Sequence, residues 1–220
     1  MMKLSDATVG VLKNFANINQ NILIEEGKQI RTMSTMKNIL ASAGVVEEFP
    51  KNVGIYDLNE FLGVLSMTKN ADIEFGESYL TMTSGRTKAT YMYSDSSILT
   101  LPPETFNEPE IDLNFDIGKE VLQEILKASA VMQLPDVVIH NGEVSVTDLK
   151  NTTSNNFAVE VPAVEAENTG WRMFRCHWKA ENLKMVPDFY RVGVSETANV
   201  SHWVNGDTGL DYWIAMEAMV

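Results

Sequence analysis

The feature that most constrains the fold is a proline-bearing stretch near the middle of the chain, SDSSILTLPPETFNEPEID (94–112). It carries three prolines and no basic residue. Proline fixes the backbone angle φ and lacks an amide hydrogen, so the stretch cannot form a central strand or a helix interior. A structureless loop of this length is unusual inside a compact domain. We therefore predict a linker at 94–110 that joins two domains, 1–93 and 111–220.

The first half begins with a predicted helix. Apolar residues recur at three- and four-residue spacing from Leu4 to Ile18, and Ser5 or Asp6 is placed to cap the helix. The other predictions for this half are strands near 21–26, 28–35, 39–46 and 53–56, a helix at 57–67, and strands near 71–75, 78–83 and 87–93.

The second half repeats this order in pattern, with little identity of residues. Its predictions are a strand at 111–116, a helix at 118–133, strands near 136–141, 143–149, 157–161 and 171–177, a short helix at 179–185, and strands near 188–195, 198–204 and 210–217. Each half thus has a long helix, some strands, a short helix and three more strands, which indicates an internal duplication within an α+β chain.

The short helix of the first half follows directly from a strand in VGIYDLNEFLGVLS (53–66). Asp57 and Glu60 are placed to cap it, because an acidic residue followed three positions later by Glu satisfies free backbone N–H groups at a helix start. An acid–base pair is the alternative role for these two carboxylates. Leu58, Phe61, Leu62 and Leu65 form the packing face, and Asn59, Gly63 and Ser66 lie on the other face. In the second half, RCHWKAENLKMV (175–186) occupies the same slot.

The net charge of −13 argues against a chain that coats nucleic acid simply by being basic. Acidic residues are concentrated in the linker and in the second half. No apolar run reaches the ~18 residues of a membrane-spanning helix, and the start has no apolar signal-peptide core. The single cysteine, Cys176, excludes an internal disulfide framework and fits a reducing compartment. These features predict a soluble cytoplasmic protein.

Catalytic signatures are missing from the sequence. It has no glycine-rich phosphate loop, no nucleophile elbow and no paired metal-ligand spacing. His140, His177 and His202 fall in or beside predicted strands without partner spacing, and Cys176 has no base near it in sequence. We therefore predict no catalytic residue, no metal and no cofactor.

Lysines on the predicted helices are candidates for contact with an anionic partner. They are Lys13, Lys119, Lys127, Lys179 and Lys184. Lysines on helices are usually just solvated, and Glu120 and Glu124 weaken the basic character of the second long helix. The acidity of the rest of the chain and the equivalent positions of these helices in the two halves favour a functional role.

The segments LSDATVGVLKNFANIN, VGIYDLNEFLGVLSM and DYWIAMEA, in this order along the chain, resemble the sliding clamps of T-even-type bacteriophages. These clamps belong to the wider family of proliferating cell nuclear antigen and the bacterial β clamp. The resemblance runs nearly end to end. It implies an α+β DNA-clamp fold with two similar βαβββ-βαβββ domains, and a head-to-tail homotrimeric ring with helices inside and sheets outside.

The resemblance also assigns residues to three surfaces. The DNA-facing candidates are Lys13, Asn17, Lys119, Lys127, Lys179 and Lys184. The subunit-interface candidates are Thr87, Ala89, Tyr91 and Tyr93 on one edge, with Phe157, Val159 and Val161 on the other. The candidates for a partner-peptide pocket are Ile98, Leu99, Leu101, Ile214 and Met216. For Ile214 and Met216, ordinary packing in the sheet core is an equally good interpretation.

The predicted function is that of a non-catalytic sliding clamp that encircles duplex DNA and tethers the replicative DNA polymerase. Its implied partners are double-stranded DNA, and the polymerase and clamp loader through short hydrophobic peptides. Its implied location is the cytoplasm of the infected bacterial host. Two alternatives remain open: a clamp-fold accessory of a polymerase or of transcription that does not encircle DNA, and a hydrolase or transferase on an α+β scaffold.

Overall fold

The computed structural model describes residues 1–140, 142–161 and 175–218. The chain divides into two compact units, Met1–Thr105 with Thr208–Leu210, and Phe106–Asp207 with Asp211–Val220. The chain passes from one unit to the other within the proline-bearing linker, between Thr105 and Phe106.

The first unit contains two helices and seven strands. They are α1 (Asp6–Ile18), β1 (Ile22–Ile24), β2 (Gly27–Met33), β3 (Ile39–Phe49), β4 (Val53–Ile55), α2 (Leu58–Met67), β5 (Asp72–Phe75), β6 (Tyr79–Ser84) and β7 (Thr87–Met92). Every helix and strand predicted for this half is present, although Tyr56 lies outside β4.

Both helices of this unit begin at the predicted caps. The Ser5 hydroxyl accepts a hydrogen bond from the Thr8 N–H at 3.2 Å, and the Asp57 carboxylate accepts one from the Glu60 N–H at 3.0 Å. Each cap satisfies a backbone donor that has no partner within the helix. The prediction that Asp57 is a cap is thus confirmed.

Antiparallel pairing organises the strands of the first unit. β1 pairs with β4, β2 pairs with β3, and β5, β6 and β7 form a three-stranded sheet in that order. The buried face of α1 carries Leu12, Phe15 and Ile18, and α1 contacts α2 and β3. The apolar stripe read from the sequence is therefore the face that builds the core.

The second unit contains one long helix and eight strands among its described residues. They are β8 (Leu113–Ile117), α3 (Lys119–Met132), β9 (Asp136–His140), β10 (Glu143–Thr147), β11 (Phe157–Glu160), β12 (Arg175–Lys179), β13 (Tyr190–Ser195), β14 (Val200–Asn205) and β15 (Leu210–Ala215). One sheet has the order β11-β10-β9-β12, and β15, β14, β13 and β8 are neighbours in that order in another. Residues 171–174 of the predicted strand 171–177 and Asn141 lie outside the described residues.

The predicted short helix at 179–185 is wrong. Only Ala180–Asn182 form a single 3₁₀ turn, and Lys179 is the last residue of β12. No side chain caps the start of this turn. The residue before Pro187 is disfavoured in helical conformation, so the segment has little length in which to propagate a helix. The duplicated pattern predicts one short helix in each half. The two halves therefore differ here, because only the first half has it.

The core of the second unit is centred on two buried tryptophans. Trp178 and Trp203 pack edge to face with ring centroids 5.7 Å apart. Their indole N–H groups both donate to the hydroxyl oxygen of Ser201, each at 2.8 Å, and the Ser201 hydroxyl donates to the Ile214 carbonyl at 3.0 Å. One serine thus satisfies two buried donors that would otherwise be costly.

The first part of the linker is attached to the first unit by backbone and side-chain contacts. The Ser94 N–H donates to the Gly54 carbonyl at 2.9 Å, and the Thr100 N–H donates to the Asn21 side-chain oxygen at 2.8 Å. Arg31 donates to the Pro103 carbonyl at 3.2 Å. An ideal Cβ on Gly54 would lie 2.2 Å from the Ser94 carbonyl oxygen. Glycine at this position therefore permits the close approach of the linker to β4.

A membrane-spanning helix is not found in the part of the chain that the structure describes, because none of its helices is both long and apolar enough.

Candidate functional site

The DNA-facing candidates of the first unit lie on the solvent side of α1. Lys13 and Asn17 are exposed, opposite the buried face of that helix. On α2, Asn59, Gly63 and Ser66 are exposed as well. The exposed charged residues of these two helices are Asp6 and Lys13 on α1 and Glu60 on α2.

The candidates on α3 share their helix surface with acidic residues. Lys119 and Lys127 are exposed, and so are Glu120 and Glu124. Opposite charges at short spacing on one helix offset each other, so α3 presents a mixed surface rather than a basic one.

Lys179 and Lys184 occupy positions different from those predicted, because the helix that was expected to carry them is a single turn. Lys184 is exposed just beyond that turn. The Lys179 ammonium, which ends β12, forms an ion pair with the Asp136 carboxylate of β9 and is largely shielded from solvent. Lys179 is thus engaged within its own unit.

The carboxylate of Asp136 is buried and has three donors. The Nε2 atom of His177 lies 2.9 Å from Oδ1, the Leu149 N–H donates to Oδ2 at 2.8 Å, and Lys179 is the third. Burial alone would raise the pKa of Asp136, but the hydrogen bonds from Lys179, Leu149 and His177 lower it below its usual value. The hydrogen bond to Asp136 also raises the pKa of Lys179. This cluster is a satisfied structural ion pair, with His177 as a partner that sequence reasoning missed.

β7 lies at the edge of its three-stranded sheet and carries the first set of subunit-interface candidates. Ala89, Tyr91 and Tyr93 are half-buried on the inner side, where the Tyr91 ring packs edge to face on Phe61 at 5.4 Å. Thr87 is exposed at the start of the strand. The Tyr93 N–H donates to the Ser78 carbonyl at 2.9 Å.

The Tyr93 hydrogen bond shows which backbone groups of β7 point away from β6, towards the unpaired edge of the sheet. Hydrogen-bonding direction alternates along an antiparallel strand. Because Tyr93 points its N–H towards β6, the backbone groups of Lys88, Thr90 and Met92 point outwards. These three residues are also exposed.

β11 lies at the edge of its sheet among the described strands and carries the second set of interface candidates. Phe157 and Val159 are half-buried and Val161 is buried. The Val161 N–H donates to the Gly142 carbonyl at 2.8 Å, so by the same alternation Ala158 and Glu160 direct their backbone groups outwards. Each unit therefore has a sheet edge with backbone groups available for pairing.

The linker candidates for a partner pocket differ in exposure. Ile98 and Leu101 are exposed, whereas Leu99 is buried and its Cδ1 atom lies 3.3 Å from the position of a Cβ on Gly54. Leu99 thus anchors the linker on β4, and Ile98 and Leu101 remain accessible.

On β15, the candidates Ile214 and Met216 lie at the end of the strand. Ile214 is fully buried together with Leu210 and Tyr212, while Met216 lies just past the strand and is half-buried. Trp213 alternates to the opposite face of the sheet and is partly exposed. The partly accessible aromatic side chain on this strand is therefore Trp213, which sequence reasoning missed although the alternation in DYWIA indicates it.

Two aromatic rings of the second unit pack against the Trp213 ring. The His202 ring on β14 lies parallel to the Trp213 ring at 4.4 Å, and Phe106 of the linker packs on Trp213 with centroids 5.2 Å apart. His202 Nε2 also lies 3.8 Å from the Asp211 carboxylate. We call His202, Trp213 and Phe106 the Trp213 stack.

A site suited to metal binding is not found among the described residues, and the single cysteine is buried. No cluster of three or more His, Cys, Asp or Glu side chains in that part of the chain could hold a metal ion. Cys176 is buried, and burial raises the pKa of its thiol to about 12, which keeps it in the unreactive protonated form.

Solved structures define the class of fold. The proliferating cell nuclear antigen of A. fulgidus, solved with the C-terminal region of FEN-1 bound, matches with a TM-score of 0.71 at 13% identity, over the full length of both chains. A DNA polymerase sliding clamp of Pseudomonas aeruginosa matches with a TM-score of 0.68 at 13% identity, over 98% of this chain and 63% of that longer chain. The fold is therefore the α+β DNA-clamp fold.

Sequence relatives define the family. The chain is 33% identical to the sliding clamp of Vibrio phage KVP40 over 228 residues, which cover 99% of this chain and 100% of that protein. It is 27% identical to the sliding clamp of Enterobacteria phage T4, over 99% of this chain and 97% of that one. Residues 3–100 match the family described as DNA polymerase processivity factor. The chain belongs to this family, as a phage sliding clamp.

The function of the chain is accordingly that of a DNA polymerase processivity factor in DNA replication. The family is non-catalytic, which confirms the prediction that the chain is not an enzyme. Membership implies DNA and a DNA polymerase as partners.

Proposed function

We propose that three copies of this chain close head to tail into a ring that encircles duplex DNA and tethers the replicative DNA polymerase to it. The observation that carries the proposal is the similarity to phage sliding clamps along 99% of the chain. In this arrangement residues 1–93 and 111–220 are the two clamp domains joined by the linker 94–110. The helices line the hole, the sheets face outwards, and the ring acts inside the infected host cell.

The two open sheet edges support head-to-tail closure. β7 of one copy pairs antiparallel with β11 of the next, which brings the candidates on 87–93 and 157–161 together and removes two exposed edges. Placing Thr90 opposite Ala158 pairs the outward backbone groups of both strands. The same register places the exposed Lys88 opposite the exposed Glu160. The attraction between these opposite charges favours this register over registers shifted along the strand.

The charge distribution supports a ring that stays on DNA because it encircles it, not because it binds it tightly. Each copy contributes a net charge of −13, which repels duplex DNA from the outer surface. Lys13, Lys119 and Lys127 supply the few phosphate contacts at the hole, and Asn17 and Lys184 are further candidates. Lys179 is engaged by Asp136 and contributes less. Few phosphate contacts give weak binding with a shallow salt dependence, which permits sliding.

Partner enzymes, the polymerase and the clamp loader, bind through short hydrophobic peptides. The exposed Ile98 and Leu101 of the linker support this role. Leu99, Ile214 and Met216 remain candidates for peptide binding.

The test of the proposed function is primer extension on a long primed template, with the polymerase and the loader, in the presence and absence of this protein. The expected result is much longer products when the protein is present. Product length that does not change contradicts the proposal and favours an accessory protein that does not encircle DNA.

Replacing Lys13, Lys119 and Lys127 together by Glu is expected to impair loading onto DNA while leaving the trimer intact. Three phosphate contacts per copy are lost and replaced by repulsion. Loading is measured as protein retained on nicked circular DNA. The matched control replaces the exposed Lys3, Lys28 and Lys37 by Glu, which changes the net charge equally and is expected to preserve loading. Equal loss in both variants contradicts the assignment of the helix lysines.

Replacing Thr90 by Pro is expected to abolish the trimer and leave the protomer folded. Its N–H points to the open side of β7, where proline is tolerated within the protomer but removes a hydrogen bond to the neighbouring subunit. The mass in solution and the circular dichroism spectrum measure the two effects. Thr90→Val keeps the N–H and is expected to keep the trimer. A trimeric Thr90→Pro protein places the interface elsewhere.

A further inference from the structure

The Trp213 stack forms a small aromatic surface on the side of the β13–β15 sheet opposite the buried core. Alternation along β15 directs Trp213 away from Tyr212 and Ile214, which are fully buried. His202 covers one face of the indole ring, lying within 13° of parallel to it. The indole Nε1 atom is shielded and has no acceptor among the residues that the structure describes. The surface therefore combines an aromatic platform with an unsatisfied donor.

The linker itself supplies the occupant of this surface. The Phe106 ring packs on Trp213 at an interplanar angle of 61°, yet the Phe106 residue is still 40% exposed. It belongs to a stretch without helix or strand that runs from Leu99 to Asp112. An aromatic side chain on an extended segment is thus what this surface accepts.

The C-terminal end of that segment is held independently of Phe106. The Asp112 N–H donates to the Val194 carbonyl at 2.8 Å. Ile111 crosses Gly193, where an added Cβ would lie 3.2 Å from two of its side-chain carbons. Phe106 can therefore leave Trp213 without the contacts at Ile111 and Asp112 having to break.

We propose that the Trp213 stack is a binding surface for a partner segment, and that this segment binds Trp213 by displacing Phe106, which acts as an internal competitor. This inference rests on the proposed function, because the partner segment belongs to an enzyme that the clamp tethers. The incoming segment is extended and carries an aromatic side chain that replaces Phe106. Its backbone carbonyl groups are acceptors of the kind that the Trp213 N–H lacks.

The acidic residues near Phe106 favour a partner segment with basic residues beside its aromatic side chain. Residues 94–112 contain five acidic residues and no basic one, and Glu108 and Glu110 follow Phe106 closely. Asp211 adds a further carboxylate beside His202. Basic residues on both sides of the aromatic side chain complement this surface and help to exclude acidic segments.

The test uses the full-length protein and a blocked peptide, Lys-Thr-Phe-Asn-Lys, which has the sequence around Phe106 with basic ends. Binding is followed by the indole N–H resonance of Trp213, assigned by its absence in Trp213→Phe. Phe106→Ala is expected to bind the peptide roughly 2- to 10-fold more tightly than the unmodified protein, the range that one aromatic pair is worth. Trp213→Leu, followed by peptide fluorescence polarisation, is expected to lose binding.

Matched controls separate displacement from general effects. Phe189→Ala removes another exposed phenylalanine of the same unit and is expected to leave the affinity unchanged. The peptide Lys-Thr-Ala-Asn-Lys is expected not to bind. Far-ultraviolet circular dichroism checks that each variant is folded.

The outcomes distinguish this inference from the proposed function. Equal affinity of Phe106→Ala and the unmodified protein, with binding still dependent on Trp213, overturns the competition. Binding that does not depend on Trp213, or no binding to either protein, overturns the assignment of the site. Primer extension by the unmodified protein tests the clamp separately, and the inference further predicts that Phe106→Ala reaches half-maximal extension at a lower clamp concentration.

Discussion

Replacing Gly54 by alanine is expected to lower the free energy of unfolding by about 3 kcal/mol, at the upper end of the usual cost of overpacking. The new Cβ would lie 2.2 Å from the Ser94 carbonyl oxygen, which belongs to the backbone and cannot rotate away. Relief requires the linker to move, which breaks the Ser94 hydrogen bond to Gly54 and uncovers Leu99. Urea denaturation at one fixed protein concentration measures the change.

The matched control for this prediction lies on the neighbouring helix. Gly63 on α2 is exposed and a Cβ there meets nothing within 4 Å. Gly63→Ala is expected to stabilise the protein by about 0.5–1 kcal/mol, because alanine favours the helix interior over glycine. A Gly54→Ala protein as stable as the unmodified one would show that the linker does not pack against β4 as described.

Replacing Ser201 by alanine is expected to destabilise the second unit by about 2–4 kcal/mol. The substitution leaves the indole N–H groups of Trp178 and Trp203 buried without their acceptor, and each such loss costs about 1–3 kcal/mol. The Ile214 carbonyl also loses its side-chain donor. Thermal or urea unfolding followed by tryptophan fluorescence measures the effect.

Ser145 offers a control of the same chemistry in the same unit. Its hydroxyl is part-buried and donates a single long bond of 3.4 Å to the Val138 carbonyl. Ser145→Ala is expected to change the stability by less than about 1 kcal/mol. If the two serine variants are equally stable, the Ser201 hydroxyl does not stabilise the packing of Trp178 and Trp203.

The strongest predictions from sequence concern features that are encoded locally. Ser5 and Asp57 each accept a hydrogen bond from the backbone N–H three residues later, so both helix starts were predictable from the local sequence. The hydrophobic periodicity of α1 and α3 defines their buried faces, and the prolines of the linker exclude a helix interior or a central strand there. These signals need no knowledge of distant residues.

The missed features depend on contacts between residues far apart in the chain. Gly54 looks like an ordinary strand residue until Ser94 is seen beside it. Phe106 and His202 meet on Trp213 from three separate segments, and no spacing in the sequence indicates that meeting. The prediction of a helix at 179–185 was wrong because it relied on the duplicated pattern. Two local signals opposed a helix there: no side chain caps its start, and Pro187 follows.

The same distinction applies to the candidate surfaces. Exposure of Lys13, Lys119 and Lys127 follows from helical periodicity alone, and the structure places them on solvent-facing sides. The pairing of Lys179 with Asp136 could not be read from the sequence, because it depends on the neighbouring positions of β9 and β12. The edge positions of β7 and β11 likewise depend on strand order in the sheets.

Electron microscopy of the purified protein at micromolar concentration shows whether three copies form a ring. We expect particles of three chains of 24.6 kDa each, arranged around a central hole wide enough for duplex DNA. Single compact particles of one chain at that concentration would contradict it.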